Sequence, residues 1–204
     1  TVAAIARGLL DGARHVRARR PALYALSAIA VHRLCFGLWT VTTLLLYRNY
    51  FAASGPVRTG LAGLTQVVVA VAIGGGLAAL STPGAARRLG YATWPALLLA
   101  GSGVVLPAFG LPYRITLALA GALLLGFASQ GIKICVDTIV QVSVDDEFRG
   151  RVFALYDTLF NLALVLAAAI TALALPETGR TPVTLVLLSA GYLLTAAGYL
   201  ALAR

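Results

Sequence analysis

The chain consists of long apolar runs separated by short polar breaks, and the length of those runs limits its fold more than any other feature. A helix needs about 20 mostly apolar residues to cross the ~30 Å hydrocarbon core of a bilayer. Six stretches reach that length: residues 22–46, 61–81, 91–111, 115–143, 152–175 and 182–203. The second and third carry no charge at all. Inside a bilayer every backbone amide must find an internal partner, so runs this long are expected to be helices. Strands of a membrane barrel would alternate apolar and polar residues, and these runs do not. The expected fold is therefore all-α, a polytopic membrane protein of six transmembrane helices.

Composition agrees. Of the 204 residues, 60% are apolar and only 11% are charged, whereas a soluble domain keeps roughly a quarter charged. The net charge of +9 would suit a nucleic-acid binder, but that reading requires a basic face interleaved with polar or aromatic readers. Here the cations sit in clusters between apolar runs, so no nucleic-acid partner is expected. Cys35 and Cys135 each lie inside an apolar run with no CxxC spacing, and read as small buried apolar residues. The chain starts at Thr1 and contains no Met, the expectation for a fragment or a processed piece.

The breaks hold Pro and Gly: SGPVRTG, TPGAARRLG, GLPYR, DDEFRGR and PETGR, all expected to be loops. Counted along six alternating spans, one side receives Arg7, Arg14, Arg17, Arg19, Arg20, Arg87, Arg88, Arg149, Arg151 and Arg204. The other receives Arg48, Arg58, Arg114 and Arg180. The arginine-rich side is expected to be cytoplasmic. An even number of spans then puts both termini there, in a multi-pass protein of the plasma membrane.

Residues 1–20 form a separate element ahead of the six-helix domain at 21–204. They lack the long apolar core of a signal peptide. Val2, Ile5, Leu9, Ala13 and Val16 recur at helical spacing, with Arg7, Asp11 and Arg14 on another face. This predicts an amphipathic helix at the cytoplasmic membrane surface, its arginines near acidic headgroups, or equally a linker helix.

Charge within a span is costly, so each case needs a reason. Arg33 follows Arg20 by about 20 Å of helix rise, and Lys133 precedes Asp145 by about 18 Å. The first span runs away from the arginine-rich side and the fourth returns to it, so the two cations lie at similar depth. Asp137, four residues after Lys133, shares its helix face. The pair is either a self-neutralising unit that lets the helix sit in lipid or part of a site. Arg33 has no acid within a turn, so it must pair across helices with Asp137, with a missing partner domain or with a substrate. His32 points about 100° away from Arg33 and reads as a packing residue. Two cations and one acid at one level suggest a site for an anionic or zwitterionic group. Gln130, Gln141 and Asn161 can bind substrate or hydrogen-bond between helices, the second being favoured. Asp157 lies about 9 Å inside the fifth span, deeper than a helix dipole alone favours an acid. The Gly74-Gly75-Gly76 run and Gly191 and Gly198 suit close helix packing, with bending of the second span as an alternative use of the triple glycine. Pro95 and Pro107 suggest kinks.

Three segments carry a family resemblance: Val144-Asp-Asp-Glu-Phe-Arg-Gly-Arg-Val-Phe-Ala-Leu-Tyr-Asp157, Pro83-Gly-Ala-Ala-Arg-Arg-Leu-Gly90, and Leu-Leu-Leu-Tyr-Arg-Asn-Tyr at 44–50. In order, spacing and side they resemble the C-terminal half of a major facilitator superfamily transporter, closest to bacterial exporter-like members. An Ala stands where the family pattern has an Asp before the basic pair. The resemblance implies two inverted three-helix repeats, a substrate site at mid-membrane and a second six-helix half as partner; a second copy of this chain is the alternative partner. It also implies that Arg33, Lys133, Asp137, Gln130 and Asn161 lie toward the central cavity. Asp145, Arg149, Gly150, Arg151, Asp157, Arg87, Arg88 and Gly90 would then take part in gating, with Asp157 engaging the other half. The implied mechanism is alternating access driven by an ion gradient, with Asp137 or Asp157 as proton carrier in an efflux antiporter. No cofactor and no metal is implied. The rival readings are a scaffold or subunit of a larger complex and, less favoured, a membrane enzyme. The enzyme reading lacks a His positioned for Ser102 and any His–carboxylate cluster.

Overall fold

The computed structural model describes residues 2–51, 58–176 and 178–203. Its elements are α1 (Val2–Ala18), α2 (Arg20–Leu45) continuing into a π-helical turn (Leu46–Phe51), α3 (Arg58–Leu89), α4 (Thr93–Gly110), α5 (Ile115–Ser143), α6 (Asp146–Ala174) and α7 (Pro182–Ala203). Six of these helices are long and apolar enough to cross a membrane. The Arg58 side chain, Glu177 and Arg204 lie outside the described residues, as do the connector at 52–57 and the side chains of Val2, Ile5 and Arg7.

Spans four and six coincide with α5 and α7. Two expected loops are corrected. Residues 82–89 continue α3 through Pro83. A proline removes one helical hydrogen bond, but Pro83 is exposed near the helix end, where the freed carbonyl can be solvated, and Arg87 and Arg88 favour the C-terminal dipole. The helix stops at Gly90, whose φ of +92° suits glycine. Likewise Asp146–Arg151 is the start of α6, with Asp146 and Glu147 in its first turn, where the dipole favours acids. The break there shrinks to the residues around Val144 and Asp145. Pro182 begins α7, as its fixed φ favours at a first helical position.

The breaks fall at alternating ends of the bundle. One cleft is lined together by Arg20 and Pro21, Tyr91 and Ala92, Val142 and Ser143, and Leu202 and Ala203. At the other end Arg180 lies over the rings of Tyr50 and Tyr113, 5.5 and 5.2 Å from their centroids. Tyr113 sits there at a φ of +49°, and burial pushes its phenol above the usual range against the pull of Arg180.

The helices are held by small residues. A side chain on Gly74 would run into the backbone of Leu123 and Phe127, and one on Gly126 into that of Val71, so α3 and α5 touch main chain to main chain. Gly103 admits Leu193 and the Ser189 carbonyl of α7. The packing expectation holds for Gly74, whereas Gly76 and Gly198 face open space and Gly191 meets only Cys35 Sγ at 3.6 Å. Both cysteines are free and buried.

The first helix packs on protein. Gly12 approaches the Arg151 backbone, Val16 is buried, His15 stacks on Phe148 at 4.3 Å, and Arg19 grips Asp145 with bonds of 2.9 and 2.7 Å. Part of the face expected to meet lipid is thus covered by α6.

Replacing Gly74 by Ala is expected to destabilise the protein by about 1–3 kcal/mol, because the contact is with backbone that cannot swing away. Gly76→Ala should be neutral or slightly stabilising, since alanine favours helix and the space is open. Thermal unfolding of both variants in detergent reads the difference.

Candidate functional site

Within α2, α5 and α6, somewhat toward the arginine-rich end of α5, the intramembrane charges converge. On α5, Lys133 Nζ and Asp137 Oδ2 form an ion pair at 2.5 Å, one turn apart. On α2, the Arg33 guanidinium lies over the Phe160 ring of α6, its Cζ 4.0 Å from the centroid. Lys133 Nζ stands 5.9 Å from the centroid of Tyr156. Tyr156 and Phe160 are one helical turn apart and meet edge to face at 6.4 Å. This aromatic pair is the bridge that joins the two cations into one site. Cation–π contacts gain strength where water is excluded, which gives an unpaired arginine a place inside an apolar bundle.

The site is incomplete in one specific respect. Among the described residues Arg33 Nε and Asp137 Oδ1 are buried with no hydrogen-bond partner of ordinary geometry, and the buried Tyr156 hydroxyl lies within reach of the Asp137 carboxylate. A buried polar group left unpaired costs about 1–3 kcal/mol, and here a donor, an acceptor and a hydroxyl able to act as either lie together. They match what an anionic or zwitterionic group would use. Lys133 and Asp137 are partly exposed, with side-chain accessibilities of 36% and 26%, so the cluster opens beyond the described chain.

Next to Arg33 and about 100° around α2, His32 is fully buried. Its ring nitrogens meet Ser129 Oγ at 3.1 Å and the Tyr192 hydroxyl at 3.2 Å. This ties α2, α5 and α7 together and agrees with the packing role expected for His32.

Two further expected site residues have other neighbours. Asn161 is exposed, and its amide donates to the Asp157 carbonyl at 2.8 Å, one turn back on its own helix. Gln130 packs with its Cβ over Gly75 of α3. Tyr156 and Phe160 were not singled out in the sequence. Their four-residue spacing beside Asp157 is the signal that would have found them.

The expected gating residues are dispersed over the arginine-rich end. Asp146 pairs with Arg149 at 2.5 Å, and Arg149 also donates to the Gln141 carbonyl. Asp145 is paired with Arg19, just ahead of α2, and not with Arg149 or Arg151. Arg151 lies 5.3 Å from the Phe148 centroid. A side chain on Gly150 would meet nothing within 4 Å. Arg87 and Arg88 are exposed at the end of α3, and Asp157 is exposed with no ion-pair partner among the described residues.

Two curated proteins are similar to this chain: uncharacterised MFS-type (major facilitator superfamily) transporters of Mycobacterium bovis and Mycobacterium tuberculosis. Each is 37% identical over 194 residues, which is 94% of this chain and 43% of the relative. The chain thus spans less than half the length of the relatives it matches. No protein-family model matches it, and no solved structure matches it significantly.

Replacing Lys133 by Met leaves Asp137 as an unpaired intramembrane acid, and should destabilise the protein more than the double change Lys133→Met with Asp137→Asn, which removes both charges. Chemical denaturation in detergent gives the order. Equal stability of the two variants would mean that the pair is not coupled.

Proposed function

We propose that this chain, a multi-pass membrane homologue of about half of an MFS-type transporter, is the C-terminal six-helix half of a secondary active transporter that works by alternating access. Such a protein converts no substrate chemically. Its work is to expose one site to each side of the membrane in turn, by rocking one half against the other. The observation that carries this reading is the Arg33–Lys133–Asp137 cluster, in which Arg33 Nε and Asp137 Oδ1 are buried without a partner of ordinary geometry among the described residues. Ionisable residues held at membrane depth mark transport pathways, and an inert scaffold would have no use for an incomplete set.

The cargo we infer is a small molecule bearing an anionic or zwitterionic group. Its negative end would lie against Arg33 and Lys133, and a positive end against Asp137. The reading as a C-terminal half rests on the segments at 83–90 and 144–157. The partner half would meet α6, whose Leu162, Val165, Leu166, Ile170 and Leu173 are exposed, and Asp157 on that helix would engage it. We infer the arginine-rich end to be cytoplasmic, with both termini there, and proton-coupled efflux as the direction. Asp137 is the carrier this geometry favours, since a proton taken by its carboxylate would release Lys133.

Arg33→Ala and Lys133→Ala should each lower substrate movement in cells at least tenfold, the loss expected of a charge-assisted contact worth more than about 1.4 kcal/mol, while membrane insertion persists. Collapsing the pH gradient should stop uptake into inverted vesicles. Undiminished transport by both variants would remove the site from this role, and transport that survives loss of the gradient would leave a uniporter.

A further inference from the structure

Outside the central cluster, a cleft of about 610 Å³ opens at the arginine-rich end between α2, α4, α5 and α7. Its wall carries Arg20, Tyr24, Tyr91 and Tyr199, with Ile139 and Leu202 among the apolar residues. A second groove, of about 390 Å³, shares Tyr24, Tyr199 and Leu202 and continues along α2 and α7 as far as Val31. The two grooves adjoin through these shared residues, one with Arg20 in its wall and one lined mostly by apolar surface, and together outline a channel.

The dimensions match one ligand. From Arg20 to Val31 is 11 residues of helix, about 16 Å, and one leaflet of the hydrocarbon core is about 15 Å deep. The mouth is built for an anion. Arg20 has no carboxylate partner among the described residues, because the nearby acid, Asp145, is held by Arg19. Arg20 is also the first residue of α2, so the helix N-terminus adds its own positive field at the same point. Tyr24, Tyr91 and Tyr199 line the cleft, and tyrosine is a residue favoured at a membrane interface.

We propose that this channel is a binding site for one anionic phospholipid, with its phosphodiester on Arg20 and the N-terminus of α2 and an acyl chain running between α2 and α7. The site touches α2, α4, α5 and α7 at once, so an occupant couples the arginine-rich ends of four helices. It depends on the chain's placement in a membrane and not on the transport reading.

Native mass spectrometry of the full-length protein in non-ionic detergent, titrated with dioleoylphosphatidylglycerol or dioleoylphosphatidylcholine, tests it. One phosphatidylglycerol should be retained about tenfold more strongly than phosphatidylcholine, the margin of one charge-assisted contact. Arg20→Gln should bring phosphatidylglycerol down to the phosphatidylcholine level, while Arg20→Lys keeps most of the preference. Leu202→Trp, which fills the channel, should weaken both lipids. Equal retention of the two lipids by the parent protein, or no effect of Leu202→Trp, overturns the site. Displacement of the bound lipid by millimolar inorganic phosphate alone also overturns it, since the pocket would then recognise a free phosphate.

Discussion

A charge held inside a bilayer must be answered within a few ångströms, and much of this bundle's interior is arranged around that demand. Arg33, Lys133 and Asp137 bring two positive charges and one negative to a single level on α2 and α5. The pair on α5 answers itself. Among the described residues Arg33 has no ion-pair partner and lies instead against the face of Phe160. The excess positive charge and the unpartnered atoms beside it are what turn a packing problem into a candidate binding site. A scaffold could have replaced all three residues with leucine at no structural loss.

That arrangement requires α2, α5 and α6 to be placed closely. Glycine contacts set the neighbouring crossings: α3 lies on α5 through Gly74 and Gly126, and α6 approaches α2 where Gly37 meets Ala167. Without a hydrophobic force between helices in lipid, such close backbone packing is the principal source of helix association. His32, about 100° around the helix from Arg33, ties α2 to α5 and α7 through Ser129 and Tyr192. The same helix carries the packing hub and the charged site on two faces.

The six spans and their alternation were legible because run length and the positions of Pro, Gly and Arg report directly on what a bilayer tolerates. Boundaries were less so. Pro83 and the Asp145–Arg151 stretch read as loops, yet helix termini use the same residues, and the sequence does not distinguish a polar loop from a capped end. The depth match of Arg33 and Lys133 could be counted out along the helices, and the four-residue spacing of Tyr156 and Phe160 beside Asp157 was there to be read, but nothing in that spacing says that this helix face meets the cations. Asn161 was drawn into the site by its polarity, and the structure shows it satisfied on its own helix, the local alternative that short polar side chains always have. Asp145 found its partner 126 residues away, a distance at which spacing carries no information.

The central claim is that the polar breaks alternate between the two faces of a membrane, with the charged cluster between them. Single cysteines introduced at positions 87 and 180, with Cys35 and Cys135 replaced, can be labelled in intact cells by a membrane-impermeant thiol reagent. The account predicts that position 180 reacts in intact cells and position 87 reacts only after the membrane is opened. Reaction of both from the same face would contradict the alternation, and the transporter built on it would fall.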